Sequence, residues 1–306
     1  MTISQRLAGA AGSLSLLVCS CSDPLKPAQL VSELRLIGAR IEVEGDPERA
    51  APFPGERATV RLLLAAPEVE PVHGFSLWVC AAAAGYVGAP RCAGPPLGSA
   101  RSSEPGSAAP ELSFQLPSDF DVEANPRLAM LGVVCEAGMA LADGEYGSCE
   151  GSAEPLRVAL EVSLPRGDDI NHNPAFVAQP LAIDGVVWHA PPAAGRSCDD
   201  GTLPAVRAGS GRHAIEVTVE AASREPLPRE LAVDPGEESL RLAHFATAGD
   251  LERPFSSVPP GAEALSLSWH APASVDPAAS LVRFWFVLRD GRGGSAFVQR
   301  ALCVVP

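Results

Sequence analysis

The chain has 306 residues, 23 basic against 37 acidic side chains, a formal net charge of −14 and 46% apolar residues. This excess of acid repels phosphate backbones and no Lys/Arg cluster offsets it, so nucleic acid is excluded as an expected partner. Thirty prolines and 28 glycines leave little room for long helices, while the length and apolar content suit two domains of ordinary size.

Residues 1–20 carry one charge, Arg6, followed by an apolar stretch over 7–18 and then Cys19-Ser20-Cys21. That stretch is too short to cross ~30 Å of hydrocarbon and has the form of the apolar part of a signal peptide. Val18-Cys19-Ser20-Cys21 resembles the lipobox of bacterial lipoproteins, with small Ser20 just before the modified cysteine and aliphatic Val18 two places earlier. Cys19 departs from the Ala or Ser usual there. The resemblance implies cleavage after Ser20 and acylation of Cys21. Serine rather than aspartate at position 22 implies an outer-membrane address, on the periplasmic or the surface face. Cleavage leaves 286 residues with 22 basic and 37 acidic side chains, a net of −15, so the membrane partner is the lipid anchor itself.

Residues 21–32 are expected to form a tether. From 33 the pattern is β. Residues 34–43 read as a strand broken at Gly38, 58–64 as a second, and 75–81 as a third; 112–116 alternates cleanly, and 128–135 and 156–162 complete the set. The Ser/Ala/Pro-rich stretch 99–110 reads as a mobile loop. Asp119 to Asn125 begins like an EF-hand loop but lacks its glycine and its final glutamate, where Met130 stands, and reads as a turn. A second set starts near Phe176, with strands over 214–219, 239–245, 265–269, 282–288 and 296–302. The last two are joined by the glycine-rich turn 289–294.

This spacing of strands reads as all-β: two β-sandwich domains in tandem, over 33–167 and 176–306. The terminal hairpin resembles the last two strands of immunoglobulin-like domains. One departure is that the second strand of the first domain has no cysteine for the inter-sheet disulfide of that family.

Six cysteines remain beyond the anchor, an even number that reads as disulfides in an exported chain and allows 15 pairings. Spacing favours Cys80 with Cys92 and Cys135 with Cys149, each clamping a loop after an apolar strand, which leaves Cys198 with Cys303. A zinc site lacks its C-x₂-C spacing. Asp199-Asp200-Gly201 reads as a turn.

Residues 168–175 read as the boundary between domains. Asp168-Asp169-Ile170-Asn171-His172-Asn173-Pro174 resembles the linker of cadherin-like repeats, which implies calcium on Asp168, Asp169, Asn171 and Asn173. His172 replaces an expected aspartate, and the run is one residue short. Asx residues and proline also build turns with no ion.

No nucleophile elbow, H-E-x-x-H or phosphate loop occurs. Trp188-His189-Ala190-Pro191 recurs as Trp269-His270-Ala271-Pro272, two Trp-His pairs that could line one pocket. Three methionines and two tyrosines leave little material for an aromatic carbohydrate platform, for which Trp78, Trp285 and Tyr86 are the candidates. The expected function is non-catalytic: a membrane-anchored lipoprotein binding an envelope or surface protein or glycan through loops 82–98 and 136–148. The alternatives are a metal-assisted hydrolase using His189, His213, His244 and His270, or a calcium-stiffened adhesion module.

Overall fold

The computed structural model describes residues 27–67, 74–85, 87–102, 109–136, 138–151, 154–167, 169–190, 198, 201–227, 236–275 and 281–306. The signal segment with Cys21, and Asp168, Tyr86, Asp199 and Asp200, lie outside the described residues.

In the first domain the strands are β1 (Arg35–Val43), β2 (Arg57–Ala65), β3 (Gly74–Ala81), β4 (Gly98–Ser102), β5 (Glu111–Gln115), β6 (Arg127–Cys135), β7 (Ala140–Leu141), β8 (Ser148–Cys149) and β9 (Leu156–Ser163). β1-β2-β5 form one antiparallel sheet and β4-β3-β6-β9 the other, with β7-β8 a separate ribbon. First, second and fifth strands thus face third, fourth, sixth and last, the crossed order of an immunoglobulin-like sandwich. Alternation puts Val60, Leu62, Leu112 and Phe114 of one sheet against Leu77, Val79, Leu128 and Met130 of the other, all buried in one core. The expected break at Gly38 is a register shift between Leu36 and Gly38 within a single strand. The stretch 99–110 is corrected in part: Ser99 to Ser102 pair with β3 as the edge strand β4.

The second domain has β10 (Phe176–Ile183), β11 (Val186–Val187), β12 (Ala205–Arg207), β13 (Arg212–Val219), β14 (Arg241–Ala246), β15 (Asp250–Leu251), β16 (Phe255–Ser257), β17 (Ala264–His270), β18 (Leu281–Arg289) and β19 (Ser295–Val305). Sheet β11-β10-β13-β17-β15 faces sheet β12-β19-β18-β14-β16. Phe284 lies at the centre of the core, met edge-on by Trp188 at 5.0 Å and by Trp269 at 5.2 Å between ring centroids. Each indole N–H donates to a carbonyl, Trp188 to Ala301 at 2.9 Å and Trp269 to Ala248 at 3.0 Å.

The two sandwiches pack on each other directly. Ile37, Leu63 and Ala65 of the first domain meet Ala243, Trp285 and Val287 of the second in a buried apolar cluster. Gly38 lets β1 come close, because a Cβ there would lie 3.3 Å from Cγ1 of Val287. Polar contacts frame the cluster: Arg289 donates to the Ile37 carbonyl, Arg40 to that of Ser295 at 3.0 Å, and the Ser295 hydroxyl to that of Ala39.

Residues 27–32 do not hang free as a tether. Leu30 bridges Ala246 in parallel, the Val31 N–H donates to the Ala246 carbonyl at 2.8 Å, and Val31 is wholly buried in the inter-domain cluster. This segment, which precedes β1 in the chain, completes the edge of a sheet in the second domain, beyond where the pairing of β14 with β16 ends.

Candidate functional site

Both short disulfides lie on the outer face of the sheet β4-β3-β6-β9. Cys80 is bonded to Cys92 and Cys135 to Cys149, closing loops with sequence separations of 12 and 14. The reason for the clamps is legible in β6. Its run Leu128-Ala129-Met130-Leu131-Gly132-Val133-Val134-Cys135 has no polar face, and every residue after Arg127 is buried. Even-numbered positions face the core; Ala129, Leu131, Val133 and Cys135 face outward and need a cover. The two loops supply it, with Tyr146 packed into both apolar clusters beneath them.

Between the loops a cleft of about 590 Å³ stays open. Its floor is Ser76, Trp78, Ser99, Arg101 and Leu131 of the sheet; Arg91, Cys92 and Pro96 form one wall, and Ala142, Gly144 and Glu145 the other. Arg91 and Glu145 pair across the two walls at 3.2 Å. The Arg157 guanidinium covers the Tyr146 ring at 5.9 Å, holding the second loop to β9. Main-chain bonds from Ala83 N–H to the Arg91 carbonyl and from Ala93 N–H to that of Ala81, both 2.8 Å, stiffen the first loop. The loops 82–98 and 136–148, singled out from sequence, are therefore the two walls of one concave site. Of the candidate platform residues, Trp78 is half-buried in this cleft and Trp285 is buried at the joint between domains.

The acidic stretch between the domains is brought together with other carboxylates, and their centre is an arginine. Arg292 Nη2 lies 2.6 Å from Asp169 Oδ1, and Nη1 lies 2.6 Å from Glu238 Oε1 and 3.4 Å from Glu225 Oε2. Glu225 also pairs with His172. Asp290 accepts from the backbone N–H groups of Arg292, Gly293 and Gly294 at 2.7 to 3.0 Å, and from Asn171 Nδ2 at 3.0 Å. Asn173, expected as an ion ligand, instead joins the domains: its Nδ2 donates to the Ile41 carbonyl at 2.7 Å and its Oδ1 accepts from Ser295 N–H at 3.0 Å. Among the described residues no three His, Cys, Asp or Glu side chains form a metal-binding group. Burial pushes Glu238 up to about 7 despite its bond to Arg292, and raises Asp290 against four donated hydrogen bonds.

The four histidines of the hydrolase alternative are not gathered. His189 and His270 are exposed, while the tryptophans beside them are core residues. His244, wholly buried on β14 of the opposite sheet, is held down to about 4 by burial and by Arg253. His213 has a contact sequence reasoning missed: Nδ1 is 2.7 Å from Asp184 Oδ2 and Nε2 is 2.8 Å from Ser210 Oγ. The order is that of an acid–base relay, but the Ser210 hydroxyl donates to the Arg207 carbonyl at 2.6 Å and so is not offered to the imidazole. The trio clasps the tight turn after β10, where Asp184 has φ 49° and Gly185 φ 79°, to the start of β13. Burial raises the Asp184 carboxyl, yet the bond from His213 and the Ala214 N–H outweigh it and hold the group below its usual range.

No protein-family model matches this chain, and no curated protein does. Among solved structures it is similar to a β-glucuronidase from glycoside hydrolase family 2 (10% identity, TM-score 0.22), covering 88% of this chain and 20% of that one. It is also similar to a marsupial T cell receptor (11%, 0.23; 88% and 100% covered) and to the Yersinia pseudotuberculosis adhesin InvE (8%, 0.19; 89% and 60% covered). The chain spans only a fifth of the glucuronidase's length. Scores this low carry no inference about function, and the immunoglobulin-like character of the fold rests on its strand order.

Proposed function

We propose that this chain is a lipid-anchored protein of the cell envelope, held at the outer membrane through Cys21, whose work is binding rather than catalysis, with the cleft of the first domain as the binding surface. The observation that carries the reading is the cleft itself: two loops, each closed by a disulfide, form its walls over a sheet face that offers Trp78, Leu131 and Arg101. Preformed walls lower the entropy cost of binding. Three disulfides fit an oxidising compartment, the address that the signal-like segment implies.

The test is metabolic labelling with an alkyne fatty acid in a host that processes bacterial lipoproteins. Label and membrane retention are expected in the parent and in C19S, and both are lost in C21S. Label that persists in C21S overturns the anchor assignment. Capture of an envelope partner by the parent, but not by a variant with the cleft walls Arg91 and Glu145 exchanged for alanine, supports the binding reading.

A further inference from the structure

We propose that the first-domain cleft binds a compact carboxylate that carries a ring or apolar face. This rests on the binding reading above and names its ligand class. A volume of about 590 Å³ falls among pockets that enclose small molecules. Its floor offers the half-buried indole of Trp78 and apolar Leu131, a surface on which a ring can lie. Two guanidinium groups, Arg91 and Arg101, line the cleft against one carboxylate, Glu145. A net positive lining stands out in a chain whose formal charge is −14.

The contrast selects for size as well as charge. At the Debye length of about 8 Å in physiological salt, a small anion inside the cleft feels chiefly the two guanidinium groups, while a long polyanion is also repelled by the net charge of −14 on the chain as a whole. The Arg91–Glu145 pair is a fitting gate. Its side chains are 66% and 47% exposed, and a pair this wet contributes little, so a ligand carboxylate can take the Arg91 guanidinium from Glu145. The planar fork of Arg101 provides a second, two-pronged contact.

The readout is intrinsic to the chain. Of its four tryptophans, Trp188, Trp269 and Trp285 are at most 1% exposed, so a ligand-induced change in emission reports Trp78. The full chain, with disulfides intact, is titrated with phenylacetate and with galacturonate, each against its uncharged counterpart, phenylacetamide and galactose. A saturable change with one acid or both is expected, about tenfold or more weaker for the uncharged partner and for R101Q, and absent in W78F. Phenylacetate alone identifies an apolar ring, and galacturonate alone an acidic sugar. Arg101 is exposed, so an unchanged melting curve for R101Q separates lost contact from lost fold. Equal binding of the uncharged compounds, unaltered affinity in R101Q, or no saturable change with either acid overturns the proposal. If the cleft still captures an envelope partner in that case, only the ligand class fails; if capture is lost too, the binding reading fails with it.

Discussion

Glu238 and His244 are both buried ionisable groups, and they tilt stability in opposite directions with pH. Glu238 has its folded value raised to about 7 from 4.5, so the native state holds its proton more tightly than the unfolded chain does. Its contribution is fully present below the unfolded value and is lost as pH rises from about 4.5 through about 7. His244 is the reverse: its folded value is lowered to about 4 from 6.5, so the unfolded chain takes up the proton first and stability falls as pH drops through that window. Each slope reaches about 1.4 kcal/mol per pH unit where both groups act fully. Between about pH 4.5 and 6.5 they oppose each other. Denaturant unfolding of E238Q should therefore show stability falling towards acid, and of H244L stability falling towards pH 7, with the parent flatter than both. Identical profiles for all three proteins would refute this account. The groups facing Glu238 are Arg292, Asp290 and the Glu225 backbone, and Arg253 faces His244.

Among the elements, continuous apolar runs were the most informative and the most easily misread. Alternation marks β5, Glu-Leu-Ser-Phe-Gln, as a half-buried strand, and the structure agrees. The runs Leu62-Leu63-Leu64 in β2 and Phe284-Trp285-Phe286-Val287 in β18 read only as strong strands. In the structure each is buried on two faces. Leu62, Phe284 and Phe286 enter the cores, while Leu63, Trp285 and Val287 form the joint between domains. The run in β6 likewise announces the cover supplied by the clamped loops. Short strands such as β4, β7 and β12 left no signal, because β4 has no apolar residue larger than alanine and two or three residues are too few to show a period.

The disulfides belong to this scale as well. Cys198–Cys303 spans 105 residues and pins the segment before β12 to β19, whereas the cleft pairs span 12 and 14. Chain entropy assigns roughly 4.7 kcal/mol to a closure of the first kind and roughly 3 kcal/mol to each of the others. Replacing Cys198 and Cys303 by alanine should lower Tm more than replacing Cys80 and Cys92. The second change should instead weaken ligand binding with a smaller loss of Tm. Calorimetry of the two double variants decides the order.

For the whole molecule, the docked N-terminal segment sets how an anchored chain would stand. Cys21 precedes Pro27 by six residues, which extend at most about 20 Å. Ala28 shares a cavity of about 400 Å³ with Arg35, Ile37, Leu156, Arg157 and Phe245, so the described residues begin beside the edge strand β9. The cleft lies toward the other edge, with β4 three strand spacings away, about 14 Å. With Cys21 acylated, the β9 edge should face the bilayer and the cleft should open away from it. A fluorophore placed through an unnatural amino acid at Arg157 should transfer energy to headgroup acceptors more efficiently than one at Ser99. A 12-residue Gly/Ser insertion before Pro27 should erase the difference. Equal transfer without the insertion would refute this orientation; failure of the protein to stay on the vesicle would instead count against acylation.

The sequence by itself determined the all-β class, the loops worth inspecting and the cysteine spacing, because these follow from local periodicity, turn chemistry and chain separation. Only the tertiary structure decided that the two loops share one cleft, that Arg292 occupies the centre of the acidic stretch, and that residues 27–32 are built into the second domain. Each depends on groups between 50 and more than 200 positions apart in the chain meeting in space, as Arg91 meets Glu145, Asp169 meets Arg292 and Val31 meets Ala246. No window of sequence holds both partners of such a contact, and packing alone selects which of many possible pairs is made.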